Sequence, residues 1–462
     1  MIAYLVASVV AVGVVSAAIS PRVRTLDGFF RGFDDDGRAP GLWTLVLSQV
    51  TTWIFARSLL NAALLGYAFG IAGALAYTAY YGSFLVGGRI VDALRFRHGH
   101  ESVQTYLSEN FGRTGEWTYN FVVAVRLVSE VFANLLVVGI VFGATDTAPY
   151  TGSIIALALL TLAYSTLGGL RASLRTDVFQ MLIFLALLVA VCALVVMHPA
   201  FDAKALLTSS PNPDSAGWIL LAAALLQVWS YPLHDPVMMD RGFLADRETT
   251  KRSFNYAFWI SFACILAFGL VGVFAGLNKL ADESLMPSLS RLFGEPALLL
   301  INLALIVSAI STLDSALSSA SKLAIVDMRL APSTVRNGRI AMALFLAAGL
   351  GLLFIGSKDL FAAVAVSATA SMFLAPVIFF CIWGGMRVDL WAYTTTFVLA
   401  MGASVVYFLD TSGHIPLLGW AFGNIHSYTK LLIVSAFLLA SGCILFALGA
   451  RSAATAGAVT AK

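Results

Sequence analysis

Charge is what this chain lacks most. Only 11% of its 462 residues are Asp, Glu, Lys or Arg, while 59% are apolar; a soluble domain carries charge on roughly a quarter of its residues. Together with a mean hydropathy of +0.87, this excludes an ordinary soluble protein. Cysteine is scarce too. Cys192, Cys264, Cys381 and Cys443 all fall in apolar runs, which argues against a disulfide framework, and no Cys/His spacing suits zinc. His98 and His100 form an HGH in a basic loop and read as a solvated turn. There is no long linker, low-complexity tail or separate polar domain. An HExxH helix, a nucleophile elbow and a phosphate loop are all missing, so neither an enzyme nor a nucleic-acid partner is expected. The function must be carried out in or beside a membrane.

What is present in abundance is apolar runs of about 20 residues, each long enough to cross a bilayer. Thirteen spans are expected, at about 2–19, 42–68, 71–94, 116–143, 150–169, 174–197, 216–239, 254–277, 295–321, 338–356, 359–385, 390–409 and 429–449. The first lacks a basic leader and a cleavage site, so it reads as a membrane helix rather than a signal peptide. Basic residues alternate between connections. One set holds Arg22, Arg24, Arg31 and Arg38, then Arg95, Arg97 and Arg113, then Arg171 and Arg175, then Arg241, Arg247, Lys251 and Arg252. It ends with Lys322, Arg329, Arg336 and Arg387. The other set holds only Lys204, Lys279, Arg291, Lys358 and Lys430. By the positive-inside rule the N-terminus lies outside and the C-terminus in the cytoplasm, in the cell's inner (plasma) membrane. Segment 97–113 is amphipathic and is expected to lie along the inner interface.

Four groups of polar residues inside these spans need a reason. In LALIVSAISTLDSALSSASK (303–322), Ser308, Ser311, Thr312, Ser315, Ser318 and Ser319 recur at three- and four-residue steps, on one helical face, with Asp314 beside them. Oxygen ligands on one face suit a hard cation such as sodium. The same hydroxyls could equally bond back to their own helix or ease close packing. Arg57 lies at mid-depth in the second span, and Arg126 and Glu130 lie one turn apart in the fourth. A lone guanidinium there costs at least ~2.5 kcal/mol. Either Arg126 pairs with Glu130 while Arg57 finds carbonyls, or Arg57 faces a central cavity and meets Glu130 or a substrate carboxylate. In the seventh span, Pro232 and Pro236 bracket His234 and Asp235, which reads either as a plain kink or as a broken helix at a binding site. Finally, in GGLRASLRTDVFQ, Asp177 either is neutralised by Arg171 or Arg175 at the headgroups or approaches Asp314 and Ser315.

These segments together resemble the sodium/solute symporter family, which includes sodium/proline and sodium/sugar carriers. GGLRASLRTDVFQ resembles the family's Gly-Gly-Leu…Thr-Asp-x-x-Gln signature, LDGFFRG its Asp-x-Phe-Phe motif, and ESVQTYLSENFG its Leu-x-x-x-Phe-Gly motif. DPVMMDRGFLAD is similar to Gln-Pro-x-x-x-x-Arg-x-x-x-Ala with Asp235 in place of glutamine, and SAISTLDSALSSAS to the sodium-site helix. The resemblance implies an all-α, polytopic leucine-transporter-type fold, a single transporter unit over 1–462. Residues 1–41 would be a peripheral first helix and inner loop, 42–197 a first five-helix repeat, 216–385 its inverted partner, and 390–462 two peripheral helices.

The resemblance also implies a main sodium site made of the carbonyls of Thr51, Ile54 and Ser308 and the hydroxyls of Ser311 and Thr312. A second cation site would use Asp177, Asp314 and Ser315; Asp314 replaces a hydroxyl of the family pattern and either strengthens that site or holds a proton. No Gly or Pro in SQVTTWIF marks an unwound segment. For substrate, Arg57, Glu130, Trp229, Tyr231, His234 and Asp235 are the candidates. They favour a small organic anion or amino acid over a sugar, because the sugar carriers' polar residues are not reproduced and Arg57 is foreign to both patterns. The expectation is a sodium-coupled symporter whose partners are sodium, a small solute and lipid. The rivals are a transporter-like sensory protein, against which the sequence ends at Lys462 without a signalling domain, and a proton-coupled carrier of the same fold. An integral-membrane enzyme and a channel rank below both.

Overall fold

A computed structural model describes residues 2–355, 367–423 and 425–451. Lys358 and residues 359–366 of the eleventh expected span lie outside the described residues. The described part is helical apart from one isolated antiparallel bridge, Val388 to Ala450. In chain order the principal helices are α1 (Ile2–Ile19), α2 (Leu26–Arg31), α3 (Leu42–Trp53), α4 (Ala56–Ala79), α5 (Ser83–Val91), α6 (Val103–Phe142) and α7 (Ala148–Val196). They continue as α8 (Ala203–Leu207), α9 (Ala216–Gln227), α10 (Pro236–Gly242), α11 (Arg247–Leu277), α12 (Leu285–Lys322) and α13 (Val335–Ile355). After an apolar stretch over Ser367–Trp383 come α14 (Leu390–Thr411), α15 (Leu417–Phe422) and α16 (Ser427–Gly449).

Among the described residues, eight helices are long and apolar enough to cross a membrane, and three shorter apolar helices accompany them. Helix α7 has 49 residues and would reach about 74 Å if straight, more than twice the hydrocarbon thickness of about 30 Å. It must fold back, and it does so at Gly169, whose φ of 55° and ψ of −135° are non-helical. A Cβ there would come within 2.4 Å of the Phe29 carbonyl of α2, so only glycine lets the LDGFFR helix seat against the turn. The long run from Ala56 is divided in the same way at Gly70, φ 65°. Helix α6 bends at Gly112, which separates the amphipathic segment before it from the apolar run after it.

Two spans are interrupted at mid-course. Between α3 and α4, Ile54 (ψ 69°) and Phe55 (ψ 148°) leave the helical region. Between α9 and α10, the chain passes through a short tight helix at Tyr231–His234 and an extended Asp235. The second break follows from Pro232 and Pro236, which remove backbone donors. The first has no such local cause. Helix α12 lies against α7, α3, α4, α6 and α10, and this central packing carries its hydroxyl stripe to both breaks.

Candidate functional site

The break after α3 leaves carbonyls without helical partners, and the surrounding helices meet two of them. Tyr81 donates to the Trp53 carbonyl at 2.6 Å, and the Ser308 hydroxyl donates to the Ile54 carbonyl. Thr312 in turn donates to the Ser308 carbonyl at 2.7 Å. The oxygens of Ile54, Ser308 and Thr312 therefore form one continuous group where α3 ends against α12, all of them buried. Thr51 lies buried in the last turn of α3, and no donor reaches its carbonyl among the described residues. Ser311 is buried as well, but its hydroxyl turns toward α7 and donates to Asp177 Oδ1 at 2.8 Å.

Asp177 is not a headgroup carboxylate. Arg171 is engaged by Asp35, whose carboxyl it holds below the usual range through a hydrogen bond, and Arg175 is exposed. The partner of Asp177 is Arg241, at 3.0 Å, with both side chains 0% exposed. This corrects the count of inner-face charges, since Arg241 belongs to the core; Arg247, Lys251 and Arg252 keep that connection basic. The guanidinium also reaches Ser48 at 2.6 Å, Ser315 at 2.9 Å and the Val237 carbonyl at 3.1 Å. Asp314 faces another way, accepting from Ser165 at 2.8 Å and Thr176 at 2.7 Å, and meets no cation among the described residues.

Past the break, Arg57 and Arg126 share one oxygen, Glu130 Oε2; Arg57 approaches it at 2.8 Å and Arg126 more closely still. Glu130 Oε1 accepts from Asn134 at 3.0 Å. Arg126 continues to Asp235 at 3.1 Å, whose other oxygen caps α10 by accepting from the Met238 amide at 2.9 Å. Both readings of the arginines thus hold in part: the intrahelical Arg126–Glu130 pair forms, and Arg57 joins it. Three donors stay unmet among the described residues, Arg57 Nε, Arg57 Nη1 and Arg126 Nε, although both side chains are buried. The guanidinium of Arg57 stacks over Phe55 at 4.9 Å, and that of Arg126 over Tyr231 at 5.6 Å.

Tyr231 and His234 belong to this group and Trp229 does not. The Tyr231 ring packs on Trp53 at 5.5 Å and on His234 at 4.7 Å. His234 bonds through Nδ1 to the Tyr231 carbonyl at 2.6 Å, and Tyr119 donates to the Leu233 carbonyl at 2.7 Å, so these two carbonyls of the broken segment are met by protein. Trp229 is half-buried on the other side of the segment, against Phe379 and Trp383. Sequence reasoning missed Ser48, Phe55, Tyr81, Asn134 and the place of Arg241, although Arg241 stands inside the DPVMMDRGFLAD motif already singled out.

Along α12 the stripe leads away from the break. Ser315 meets Arg241, Ser319 donates to Asp240 at 2.7 Å, and Lys322 pairs with the same carboxylate. Asp240 and Lys322 line a vestibule of about 940 Å³ together with Arg31, Arg95 and Arg329.

The profile of the sodium:solute symporter family matches residues 36–210. No curated protein matches the sequence. Among solved structures, a Na⁺-coupled sialic acid symporter in a substrate-bound outward-open state superimposes with a TM-score of 0.74 at 17% identity, over 98% of this chain and 99% of that one. A nucleobase-cation-symport-1 family transporter with bromovinylhydantoin bound gives a TM-score of 0.57 at 14% identity, over 93% and 96%. The fold is accordingly of the leucine-transporter type, and the apolar helices make the chain a multi-pass membrane protein. Over residues 36–210 the chain is thus similar to the sodium:solute symporter family, and along nearly its whole length it shares the fold of these two transporters.

Proposed function

We propose that this carrier couples sodium, held by the carbonyls of Thr51, Ile54 and Ser308 and the hydroxyls of Ser311 and Thr312, to the uptake of a small organic anion or amino acid whose carboxylate is taken by Arg57. One observation carries the reading. Arg57, at 1% exposure, has two guanidinium donors unmet among the described residues, three residues beyond the Ile54 carbonyl that meets Ser308. The same helix break therefore serves both ligands. A cation drawing the Ile54 carbonyl toward α12 fixes the turn that aims Arg57, and a carboxylate on Arg57 fixes the turn that presents Ile54; each ligand raises the other's affinity, as coupling requires. Tyr231, His234 and Asp235 would form the facing wall. Trp229, packed on the far side, has no part in this site.

The two interrupted spans are the first members of the two expected repeats, 42–197 and 216–385, as an inverted-repeat carrier would have them. The vestibule gathers Arg31, Arg95 and Arg329 from three basic connections, which supports a cytoplasmic orientation for that face. The stripe of α12 would be the path by which sodium leaves toward it.

The test is a thermal-shift screen of the purified protein against organic acids, amino acids and sugars, in sodium and in choline chloride. Stabilisation by a carboxylate only in sodium is expected, as is its loss in Arg57→Gln. Stabilisation by sugars alone would overturn the substrate class. Accumulation in proteoliposomes driven by a pH gradient, with no sodium present, would overturn the coupling ion.

A further inference from the structure

The second cation site expected at Asp177, Asp314 and Ser315 is where the geometry departs furthest from the sequence reading. Resting on the sodium reading above, we infer that the guanidinium of Arg241 is a tethered cation occupying that site, so that the chain binds one sodium ion and not two.

The ligands a second sodium would need are already committed to it. Asp177 Oδ2 accepts from Arg241 Nη2 at 3.0 Å, from Ser48 at 2.5 Å and from Ser173 at 3.4 Å, while Oδ1 accepts from Ser311 at 2.8 Å. Arg241 Nη2 also reaches Ser315 at 2.9 Å and Ser173 at 3.3 Å, Nε reaches Ser48 at 2.6 Å, and Nη1 reaches the Val237 carbonyl at 3.1 Å. All three guanidinium nitrogens have partners, unlike those of Arg57 and Arg126. One carboxylate and one guanidinium leave the cluster neutral, with both side chains sealed from solvent. A sodium ion on Asp177 or Ser315 would stand beside a like charge in a medium that screens it poorly. Asp314, the extra carboxylate of this chain, does not compensate, because its two oxygens are turned to Ser165 and Thr176. An arginine cannot leave with each transport cycle as an ion does. What it can do is hold Asp177 and α12 in register while the sodium next door, at Ile54 and Thr312, comes and goes.

The experiment counts sodium. Saturation binding of ²²Na⁺ to the purified full-length protein in nanodiscs, without substrate, is expected to give one ion per chain with a Hill coefficient near 1, and Thr312→Ala should weaken it about tenfold. Arg241→Gln frees Asp177 and should raise the count to two; its melting temperature should rise more between choline and sodium chloride than that of the wild type. Arg241→Lys keeps the charge, is the safer variant to fold, and should stay at one. Two ions on the wild type or on Arg241→Lys would overturn the inference, as would a single ion on folded Arg241→Gln. No saturable sodium on the wild type would instead remove the sodium site itself, and the two failures are thereby told apart.

Discussion

Arg241 and Arg57 are both arginines sealed inside the membrane domain, at 0% and 1% exposure, yet their surroundings are completed differently. Around Arg241, every guanidinium nitrogen has an acceptor and the carboxylate of Asp177 has donors on both oxygens. Around Arg57, two arginines crowd one oxygen of Glu130, and three donors have no acceptor among the described residues. Burying an unmet polar group costs free energy that a purely structural cluster would avoid. The closed cluster is thus a fastening between α7, α10 and α12. The open one is short of an acceptor, which the carboxylate of the proposed substrate would supply.

The comparison breaks first on stability. Asp177→Ala leaves Arg241 buried without its counter-charge and should cost about 3–5 kcal/mol, read as a collapse of the thermal unfolding midpoint. Joining it to Arg241→Met, which removes the stranded charge, should restore most of the loss. Arg57→Gln should behave in the opposite sense. Arg126 remains bonded to both Glu130 and Asp235, and two unmet donors vanish with the guanidinium, so the stability loss should be about 1–2 kcal/mol. Uptake should fall at least about 30-fold, since truncating one partner of a buried charge pair costs about 2–5 kcal/mol of binding. If Arg57→Gln melts as early as Asp177→Ala, the two clusters do the same job and the distinction fails.

The sodium side of the open cluster gives a smaller effect. Thr312→Ala removes one of the oxygens grouped with Ile54 and Ser308 and should weaken sodium about tenfold, about 1.4 kcal/mol. By reciprocity the substrate affinity measured in sodium should fall too, while the substrate affinity measured in choline stays put. A change confined to sodium would separate the two ligands and dissolve the shared break.

How much of this could be read beforehand depends on whether the cause lay nearby in the chain. The stripe of α12 was legible because helical spacing is local: Ser308, Ser311, Ser315 and Ser319 all turn into the core. The interruption at 228–235 was legible because proline announces it. The interruption at Ile54 was not, because the groups that hold it are Tyr81 and Ser308, 28 and 254 residues away. Arg241 misled for a different reason. A basic residue at the end of an apolar run looks like a headgroup charge, and only the continuation of the chain through α10 carries it inward to Asp177. Trp229 shows that composition does not give side: the proline break rotates Tyr231 toward Arg126 and leaves Trp229 on the opposite flank.

A partly exposed ion pair sets the baseline for both buried ones. In the connection between α11 and α12, Glu283 accepts from Arg291 Nη2 at 2.7 Å and from Nε at 3.0 Å. Chiefly through those hydrogen bonds, its carboxyl is held down at about 2, against 4.5 ordinarily. A folded-state value below the unfolded one means that the pair stabilises above pH 4.5 and that this contribution is lost as the pH falls through about 2. Glu283→Gln should therefore lower the melting midpoint most above pH 4.5 and flatten the acid limb between those values, by a modest amount, because water and salt screen such a pair. The buried clusters should not follow it: 1 M salt should erase the effect of Glu283→Gln at mildly acid pH and leave that of Asp177→Ala unchanged. Equal salt sensitivity would mean that water reaches Asp177, and the sealed fastening would have to be given up.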